Sequence, residues 1–318
     1  MTRARGNTAA AVRARRATKV TLDPWRAQGW RLEEERQPDG ALVPDLTVFL
    51  TGRECPWACV FCDLWRHTTD RPTPVGATWH QLRAALSEAG AQPATAQLKL
   101  YNASNFFDPN AIPAVDDVSV ARLARPFARI IVESHPKLAG ERCWRFAERL
   151  EGRLEVAMGL ETVHPEAQPR LGKGATLDDY AHAARALSAH GIDWRAFVLV
   201  GAPWVPAAHD ALWVARTAQF AAEHGARHIA LIPVRGGNGT LEVLEARGAW
   251  TPPTLDTLEA ALDACLGRWP EVAISADLWD LDALRGGCPS CRPARHARLR
   301  RSNRSAMPAP RLHCPASD

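Results

Sequence analysis

Three cysteines lie close together in the first quarter of the chain. Cys55, Cys59 and Cys62 follow the spacing C-x3-C-x2-C, and Phe61 directly precedes the last of them. Zinc sites and closed iron–sulfur sites usually take four protein ligands, and zinc ligands commonly come as two separated C-x2-C pairs. Three thiolates on one tight loop can instead hold a [4Fe–4S] cluster by three of its irons, which leaves the fourth iron open to a small molecule. A zinc loop or a set of buried thiols is the alternative, and the spacing fits it less well.

A second group of metal-binding side chains lies near the end of the sequence. Cys288 and Cys291 form a C-x2-C pair, and His313 and Cys314 follow at a distance. These four residues can complete one site if the end of the chain folds back; zinc, an auxiliary [4Fe–4S] cluster and no metal at all remain open. We expect a metal here, because exposed thiols on a flexible tail are reactive.

Length and composition fit one large α/β domain or two smaller ones. The chain has 318 residues, of which 46% are hydrophobic and 23% are charged. It has no run of about 18 apolar residues, so we expect no transmembrane helix and no membrane partner. Residues 1–16 lack the apolar core of a secretory signal. Eight cysteines without an export signal indicate a reducing, cytoplasmic setting, in which metal ligation is favoured over disulfides.

Positive charge is concentrated at the two ends of the chain. The net charge is only +4, but arginines cluster at the start and near the end. Such ends can bind a polyanion such as RNA. We favour two solvated basic tails, because no aromatic residues are interleaved with the arginines as a stacking platform. Residues 1–40 are therefore expected to form a basic N-terminal tail, disordered at its start, and a lead-in; residues 281–318 are expected to form a small Cys- and Arg-rich C-terminal extension.

Between these ends, short apolar runs alternate with helical segments. Six runs rich in β-branched and aliphatic residues are predicted to be strands: Leu46–Leu50, Leu98–Tyr101, Ile130–Glu133, Leu154–Met158, Phe197–Val200 and Ile229–Pro233. A further strand is expected within Val272–Leu278. Strands that alternate with helices predict a parallel sheet with right-handed crossovers. Residues 41–280 are thus expected to form an α/β fold, an open (β/α)6 partial TIM barrel, with a full eight-unit barrel as the alternative.

The cysteine loop directly follows the first predicted strand. In a parallel barrel this places it at the carboxyl ends of the strands, where active sites lie. The third and fourth predicted strands run into Glu133 and Glu161. A carboxylate at a buried strand end needs a partner, which a bound cation or a pair of hydroxyl groups would supply. We therefore expect both carboxylates to line a ligand site together with the cysteine loop.

The cysteine spacing, with an aromatic residue before the third cysteine, resembles the signature of the radical S-adenosylmethionine (radical SAM) superfamily. The resemblance extends from Leu46 to Asp277. Further segments make it closest to the archaeosine-biosynthesis and elongator-like branch: Tyr101-Asn-Ala-Ser-Asn-Phe-Phe-Asp, Val132-Glu-Ser, Gly159-Leu-Glu-Thr and Phe197-Val-Leu-Val. It implies a [4Fe–4S] cluster on Cys55, Cys59 and Cys62, and S-adenosylmethionine on the open iron.

The same resemblance implies which residues contact S-adenosylmethionine. Phe61 would line the adenine side, and Glu133 and Glu161 would contact the ribose hydroxyls or the methionine amine. Radical SAM enzymes commonly hold that amine with a Gly-Gly-Glu-like motif after the second strand, which this chain lacks. Asn102 and Ser104 are our candidates instead, since an ammonium group needs only acceptors. A turn that caps the following segment is the alternative for these two residues.

The resemblance implies a cytoplasmic radical SAM enzyme. Its reduced cluster would cleave S-adenosylmethionine to a radical that abstracts hydrogen from an unidentified substrate, either a small molecule or an RNA base, for example in tRNA. The electron would come from an external donor of the flavodoxin or ferredoxin type. The alternative is a non-catalytic iron–sulfur or zinc protein that binds nucleic acid through its basic ends.

Overall fold

The structure is a computed structural model that describes residues 8–312. Its strands form one sheet in sequence order, in which β1 is antiparallel to β2 and every later neighbouring pair is parallel. The strands are β1 Gly29–Arg36, β2 Leu42–Phe49, β3 Gln97–Tyr101, β4 Arg129–Glu133, β5 Arg153–Glu161, β6 Asp193–Val200, β7 His228–Pro233 and β8 Ala273–Ala276.

Helices connect the parallel strands. Within residues 8–312 they are α1 Ala9–Ala14, α2 Ala77–Ala89, α3 Asp117–Ala124, α4 Glu141–Ala147, α5 Leu177–Ala189, α6 Asp210–Glu223, α7 Thr240–Ala246, α8 Leu255–Cys265 and α9 Arg292–Ser305. The predicted partial barrel is confirmed, and β2 to β8 are the strands expected from the sequence. The alternative of eight parallel units is wrong, because β1 runs antiparallel at the edge of the sheet. No helix in residues 8–312 is both long and apolar enough to cross a membrane.

Along β2 and β3, side chains alternate between an apolar outer face and an inner face that carries charged residues. Leu46, Leu98 and Ile130 are fully buried in the main hydrophobic core, whereas their neighbours Asp45 and Lys99 line the cavity inside the barrel. Successive side chains of a strand point to opposite faces, so the apolar set packs under the helices and the charged set faces inward. Charged side chains therefore line part of the barrel interior, and Leu199, Ile232 and Ile274 add apolar lining.

A network of buried ion pairs closes the bottom of the barrel. The Arg195 guanidinium on β6 donates to both carboxylate oxygens of Glu35 on β1, at 2.9 and 3.0 Å, and to Glu155 on β5 at 2.5 Å. Lys99 on β3 pairs with Glu35 and with Asp45 on β2. Because Glu35 bonds to β3 and β6 at once, β1 must curve across the barrel opening, and the sheet is nearly closed.

The expectation of a disordered N-terminal tail is wrong for residues 8–15. They form α1 with its cap, and the Val12 side chain is only 2% exposed. Val12 packs against Ala58 and Val60 of the cysteine loop and against Leu171. Val12 is the buried residue of this short, alanine-rich helix. It covers an apolar surface of the cysteine loop that would otherwise face water.

The expectation of a solvated basic tail is also wrong for α9. Arg295 and Arg298 are buried, and their guanidinium groups lie 2.6 Å from Glu259 and 2.7 Å from Asp263. These carboxylates belong to α8, so that each buried arginine finds a partner on the neighbouring helix. The helix α9 packs against β8 and β1 at the open side of the barrel.

Candidate active site

The cysteine loop begins at the carboxyl end of β2 and lies over the barrel mouth. Cys59 is buried, and Cys55 and Cys62 are half-buried. Burial raises the pKa of the Cys62 thiol to about 12 and raises the pKa values of Cys55 and Cys59 as well. Such thiols stay protonated at neutral pH unless a metal displaces the proton, as a coordinating metal does. The donor set therefore fits metal ligation better than a role as free nucleophiles.

The three thiols interact electrostatically with one another. Within residues 8–312, no three His, Cys, Asp or Glu side chains converge in the manner of a single-ion site. A four-iron cluster binds each thiolate at a different iron, so its ligands do not converge on one point.

Several neighbouring segments fix the conformation of the cysteine loop. The backbone N–H of Val60 donates to the carbonyl of Leu171 at 2.9 Å, and the Asn238 amide donates to the carbonyl of Val60 at 2.7 Å. The Trp57 indole stacks on the His135 ring, with centroids 3.7 Å apart. The loop is thus supported by the segments that follow β4, β5 and β7.

The carboxylate of Glu133 ends β4 and binds backbone amides of the adjacent strand end. Its Oε2 accepts from the Asn102 N–H at 3.1 Å, and the Ala103 N–H also donates to it. Ala103 has a φ of +53°, a conformation that is strained for a residue with a side chain. Burial raises the pKa of Glu133 to about 7, although the two N–H donors oppose this rise.

The side chains of Asn102 and Ser104 lack partners within the described residues. Asn102 is fully buried, and neither its Oδ1 nor its Nδ2 has a hydrogen bond; the buried Oγ of Ser104 has none either. Buried polar atoms are normally paired, so these orphaned groups call for a ligand. Neither side chain lines the main cavity, whereas Ala103 between them does.

Glu161 forms a buried ion pair at the end of β5. Its Oε1 lies 2.7 Å from Lys173 Nζ, and a φ of +69° with a β-bulge after Gly159 turns the residue inward. A Cβ at Gly159 would collide with the Glu161 carboxylate and the Lys173 ammonium. Burial lowers the pKa of Lys173, but the Glu161 carboxylate outweighs it and raises that pKa well above its ordinary value. Lys173 is therefore a fixed positive charge.

This ion pair lies next to the cysteine loop. The Lys173 ammonium and the Glu161 carboxylate both interact electrostatically with the Cys59 thiol. A cation here favours thiolate over thiol and would partly balance an anionic cluster. The sequence does not reveal this contact of Lys173 with Glu161, because it depends on the bulge in β5.

Four predicted site residues line one cavity of about 950 Å³: Phe61, Cys62, Glu133 and Glu161. Below them, Tyr101 and Phe197 meet edge to face across the barrel, with centroids 6.0 Å apart. Lys99 and Arg195 line the cavity one layer further down. The structure thus brings these four residues to the mouth of a deep pocket. Two aromatic side chains lie midway down the pocket, and charged side chains lie at its bottom.

The cavity mouth opposite β4 and β5 carries a second charged group. Arg235, which follows β7, pairs with Asp277 at 3.7 Å and with Asp280. All three residues line the cavity. Arg235 is thus already neutralised by two carboxylates rather than free to bind an anion.

The second predicted metal site remains a prediction. The backbone N–H of Cys288 donates to Cys291 Sγ at 3.2 Å, and Cys291 is buried at the start of α9. His313 and Cys314 lie outside the described residues. Neither Cys288 nor Cys291 lines the main cavity.

Sequence reasoning missed the residues that support the cysteine loop. Asn105 and Asn238 donate hydrogen bonds to the loop, and His135 stacks on Trp57, which belongs to the loop itself. Asn105 lies within the segment that carried the resemblance, but its amide contacts a cysteine only because the turn after β3 faces the cysteine loop. No spacing rule connects residues that lie so far apart in the chain.

Comparisons with known proteins agree with this combination of a nearly closed barrel and a three-cysteine rim loop. The sequence matches the Radical SAM superfamily over residues 49–203. This match identifies a radical SAM domain within the chain, and the family implies a [4Fe–4S] cluster and S-adenosylmethionine. No curated protein sequence matches it significantly.

Solved radical SAM structures have the same fold. The archaeal Methanocaldococcus infernus Elp3, with its N-terminus deleted, superposes with a TM-score of 0.50 at 12% identity, over 74% of this chain and 60% of that chain. Methylornithine synthase (PylB) superposes with a TM-score of 0.53 at 16% identity, over 84% of this chain and 74% of that chain. The chain thus spans less than two thirds of the Elp3 chain, and at these identities the likeness concerns the fold alone.

Replacing Glu133 by glutamine is expected to change how stability depends on pH. The pKa of Glu133 is about 7 in the folded protein against an ordinary 4.5, so the carboxyl group destabilises the fold progressively as pH rises from about 4.5 to about 7. As pH rises over this range, the free energy of unfolding of Glu133→Gln should therefore increase relative to that of the wild type. Urea denaturation at several pH values measures the difference, and the exposed Glu271→Gln serves as the control. A constant difference across the range would contradict the expected titration.

Proposed function

We propose that Cys55, Cys59 and Cys62 ligate a [4Fe–4S] cluster and that S-adenosylmethionine binds in the adjoining barrel mouth. When bound and reduced, the cluster supplies the electron that cleaves a C–S bond of S-adenosylmethionine and so yields a carbon-centred radical. The observation that carries the proposal is that Cys55, Cys59 and Cys62 lie on one rim loop beside a deep cavity, which Cys62 lines.

At the rim, S-adenosylmethionine would contact an aromatic side chain, two carboxylates and one ammonium group. Phe61 offers an apolar surface next to Cys62 for the adenine ring, and Glu133 and Glu161 offer carboxylates to hydroxyl or ammonium groups. Lys173 holds Glu161 in place and adds one positive charge beside Cys59. Asn102 and Ser104 remain candidates for the amine, supported by their unpaired buried atoms.

The cavity below the rim supports a polar substrate of limited size. A volume of about 950 Å³ is at the upper end of the range for small-molecule sites. Tyr101 and Phe197 offer ring edges and faces to a planar group, and the charged side chains at the bottom of the cavity keep the deep part polar. A small molecule or a single base extruded from RNA meets these conditions. A flavodoxin- or ferredoxin-type protein is the proposed electron donor.

A nucleic-acid-binding protein without catalysis is the less supported alternative. Its argument was the arginine-rich ends, and the structure engages several of those arginines in internal contacts. Arg295 and Arg298 pair with carboxylates of α8, Arg16 pairs with Glu54 at 2.6 Å, and Arg13 donates to the carbonyl of Pro56.

Glu161→Gln is expected to weaken S-adenosylmethionine binding about 10- to 100-fold, since a hydrogen bond to a charged group contributes about 1.5–3 kcal/mol. The visible absorption of the cluster should stay intact, because Glu161 is not a ligand. Equilibrium binding of S-adenosylmethionine to the anaerobically reconstituted protein measures the effect. Glu166→Gln, an exposed change on the following loop, is the matched control and should bind as the wild type does. Equal affinity in the Glu161 variant would remove this residue from the proposed site.

A further inference from the structure

Asn105 connects the turn after β3 to one of the three cysteines. Its Nδ2 donates to Cys55 Sγ at 3.2 Å, and its Oδ1 accepts from the backbone N–H of His135 at 2.8 Å. The residue is only 4% exposed, so water does not compete for either bond. The His135 N–H requires an acceptor, which fixes the amide orientation and leaves the nitrogen facing the sulfur.

His135, which anchors this amide, is itself fixed from three sides. Its Nδ1 accepts from the Lys137 N–H at 3.3 Å, so Nε2 carries the ring proton and donates to the carbonyl of Lys173 at 3.0 Å. Its ring stacks on Trp57 of the cysteine loop at an interplanar angle of 9°. Asn105 therefore binds Cys55 from a rigid frame that is packed on the same loop.

This contact distinguishes Cys55 from the other two cysteines. Among the described residues, Cys55 is the one member of the triad whose sulfur receives a hydrogen bond from a side chain. Another buried amide, that of Asn238, supports the loop through the carbonyls of Val60 and Cys62 at 2.7 and 3.4 Å, and not through sulfur. Two buried amides thus donate to the cysteine loop, and only the amide of Asn105 donates to a sulfur within the described residues.

We propose that Asn105 is a positioning residue that orients the Cys55 thiolate and raises the reduction potential of the cluster. The proposal rests on the proposed function, because it requires a cluster on Cys55. Negative charge on the ligand sulfurs increases when the cluster takes up one electron. A donor fixed on one sulfur therefore stabilises the reduced form more than the oxidised form.

The test compares Asn105→Leu, Asn105→Asp and Asn238→Leu with the wild type after anaerobic reconstitution. Asn105→Leu removes both bonds of the amide. Asn105→Asp keeps an oxygen that accepts from the His135 N–H and removes the N–H donor to Cys55. This variant retains the hydrogen bond that anchors the turn, so it tests the proposal even if Asn105→Leu fails to fold. Asn238→Leu removes a buried amide that donates to backbone carbonyls of the same loop, and it removes no hydrogen bond to a sulfur. Iron content and a redox titration followed by electron paramagnetic resonance are measured for each protein.

Both Asn105 variants are expected to make the one-electron reduction about tenfold less favourable, which corresponds to a fall of about 59 mV in the potential. Asn238→Leu should keep the wild-type potential even if it retains less iron. An unchanged potential in Asn105 variants that hold a full cluster, or an equal fall in Asn238→Leu, would overturn the inference. Failure of the wild type itself to bind about four irons would refute the proposed function instead.

Discussion

Replacing Cys59 by alanine is expected to abolish the cluster and all cleavage of S-adenosylmethionine. Cys59 is the most deeply buried of the three thiols and interacts with both of the others. Two remaining thiolates leave a four-iron cluster with two open irons on one loop, and such a site does not retain it. The broad visible absorption of the reconstituted protein and the yield of 5′-deoxyadenosine should both fall to background.

The matched control is Cys143→Ala, which removes a buried thiol from the apolar side of α4. It should cost some stability and leave the cluster unchanged. Full turnover by the Cys59→Ala protein would refute the ligand assignment.

Metal analysis of a variant that lacks all three loop cysteines tests the second predicted metal site. Residual zinc near one equivalent would support a structural site at Cys288 and Cys291, and residual iron near about four equivalents would support an auxiliary cluster. Neither metal would leave these cysteines as ordinary thiols.

Replacing Arg195 by leucine is expected to lower the free energy of unfolding by about 3–5 kcal/mol, the cost of removing one partner from a buried ion pair. Its side chain is 2% exposed, and it holds Glu155, which is fully buried, together with Glu35 on β1. The variant leaves these carboxylates with only Arg129 and Lys99 as cations. Because Arg195 also joins β6 to β1, we expect β1 to separate from the barrel opening first.

Arg153→Leu is the control for this change. Arg153 pairs with Asp193 at 3.2 Å, but its side chain is 60% exposed, and pairs of this kind contribute about 0–1 kcal/mol. Denaturant unfolding monitored by circular dichroism gives both values, provided the transition is two-state. A loss in Arg195→Leu no larger than that in Arg153→Leu would show that the barrel floor does not depend on this network.

The alternation of short apolar runs with helical segments in the sequence predicts the parallel part of the fold well. Runs such as Ile130–Glu133 and Phe197–Val200 are β-branched, short and followed by turns, so local pattern and tertiary structure agree. The strand β1 was missed because Arg31, Glu33 and Glu35 face the charged barrel interior. Trp30 and Leu32 alternate with charged residues, but two apolar positions are too few to predict a strand.

The helix α9 escaped prediction for a related reason. Its buried residues include Arg295 and Arg298, whose partners belong to α8. Composition alone places arginine at the surface. Only the position of Glu259 and Asp263 on the neighbouring helix makes its burial favourable.

The candidate site was predictable where it depends on strand ends and was not where it depends on loop contacts. The carboxylates of Glu133 and Glu161 follow directly from the end of a strand, and both line the cavity with Cys62. The pairing of Glu161 with Lys173 depends on a bulge and on the open space at Gly159. The contact of Asn105 with Cys55 depends on two loops that meet only in the folded barrel.

The most direct measurement is the fate of S-adenosylmethionine on the reconstituted, reduced protein. The wild-type chain is loaded with iron and sulfide without oxygen, reduced with dithionite and mixed with S-adenosylmethionine. We expect it to bind about one equivalent of the cofactor per cluster and to release 5′-deoxyadenosine, and we expect Cys59→Ala to release none. A wild-type protein that holds a reduced four-iron cluster but neither binds S-adenosylmethionine nor cleaves it would contradict the proposed function.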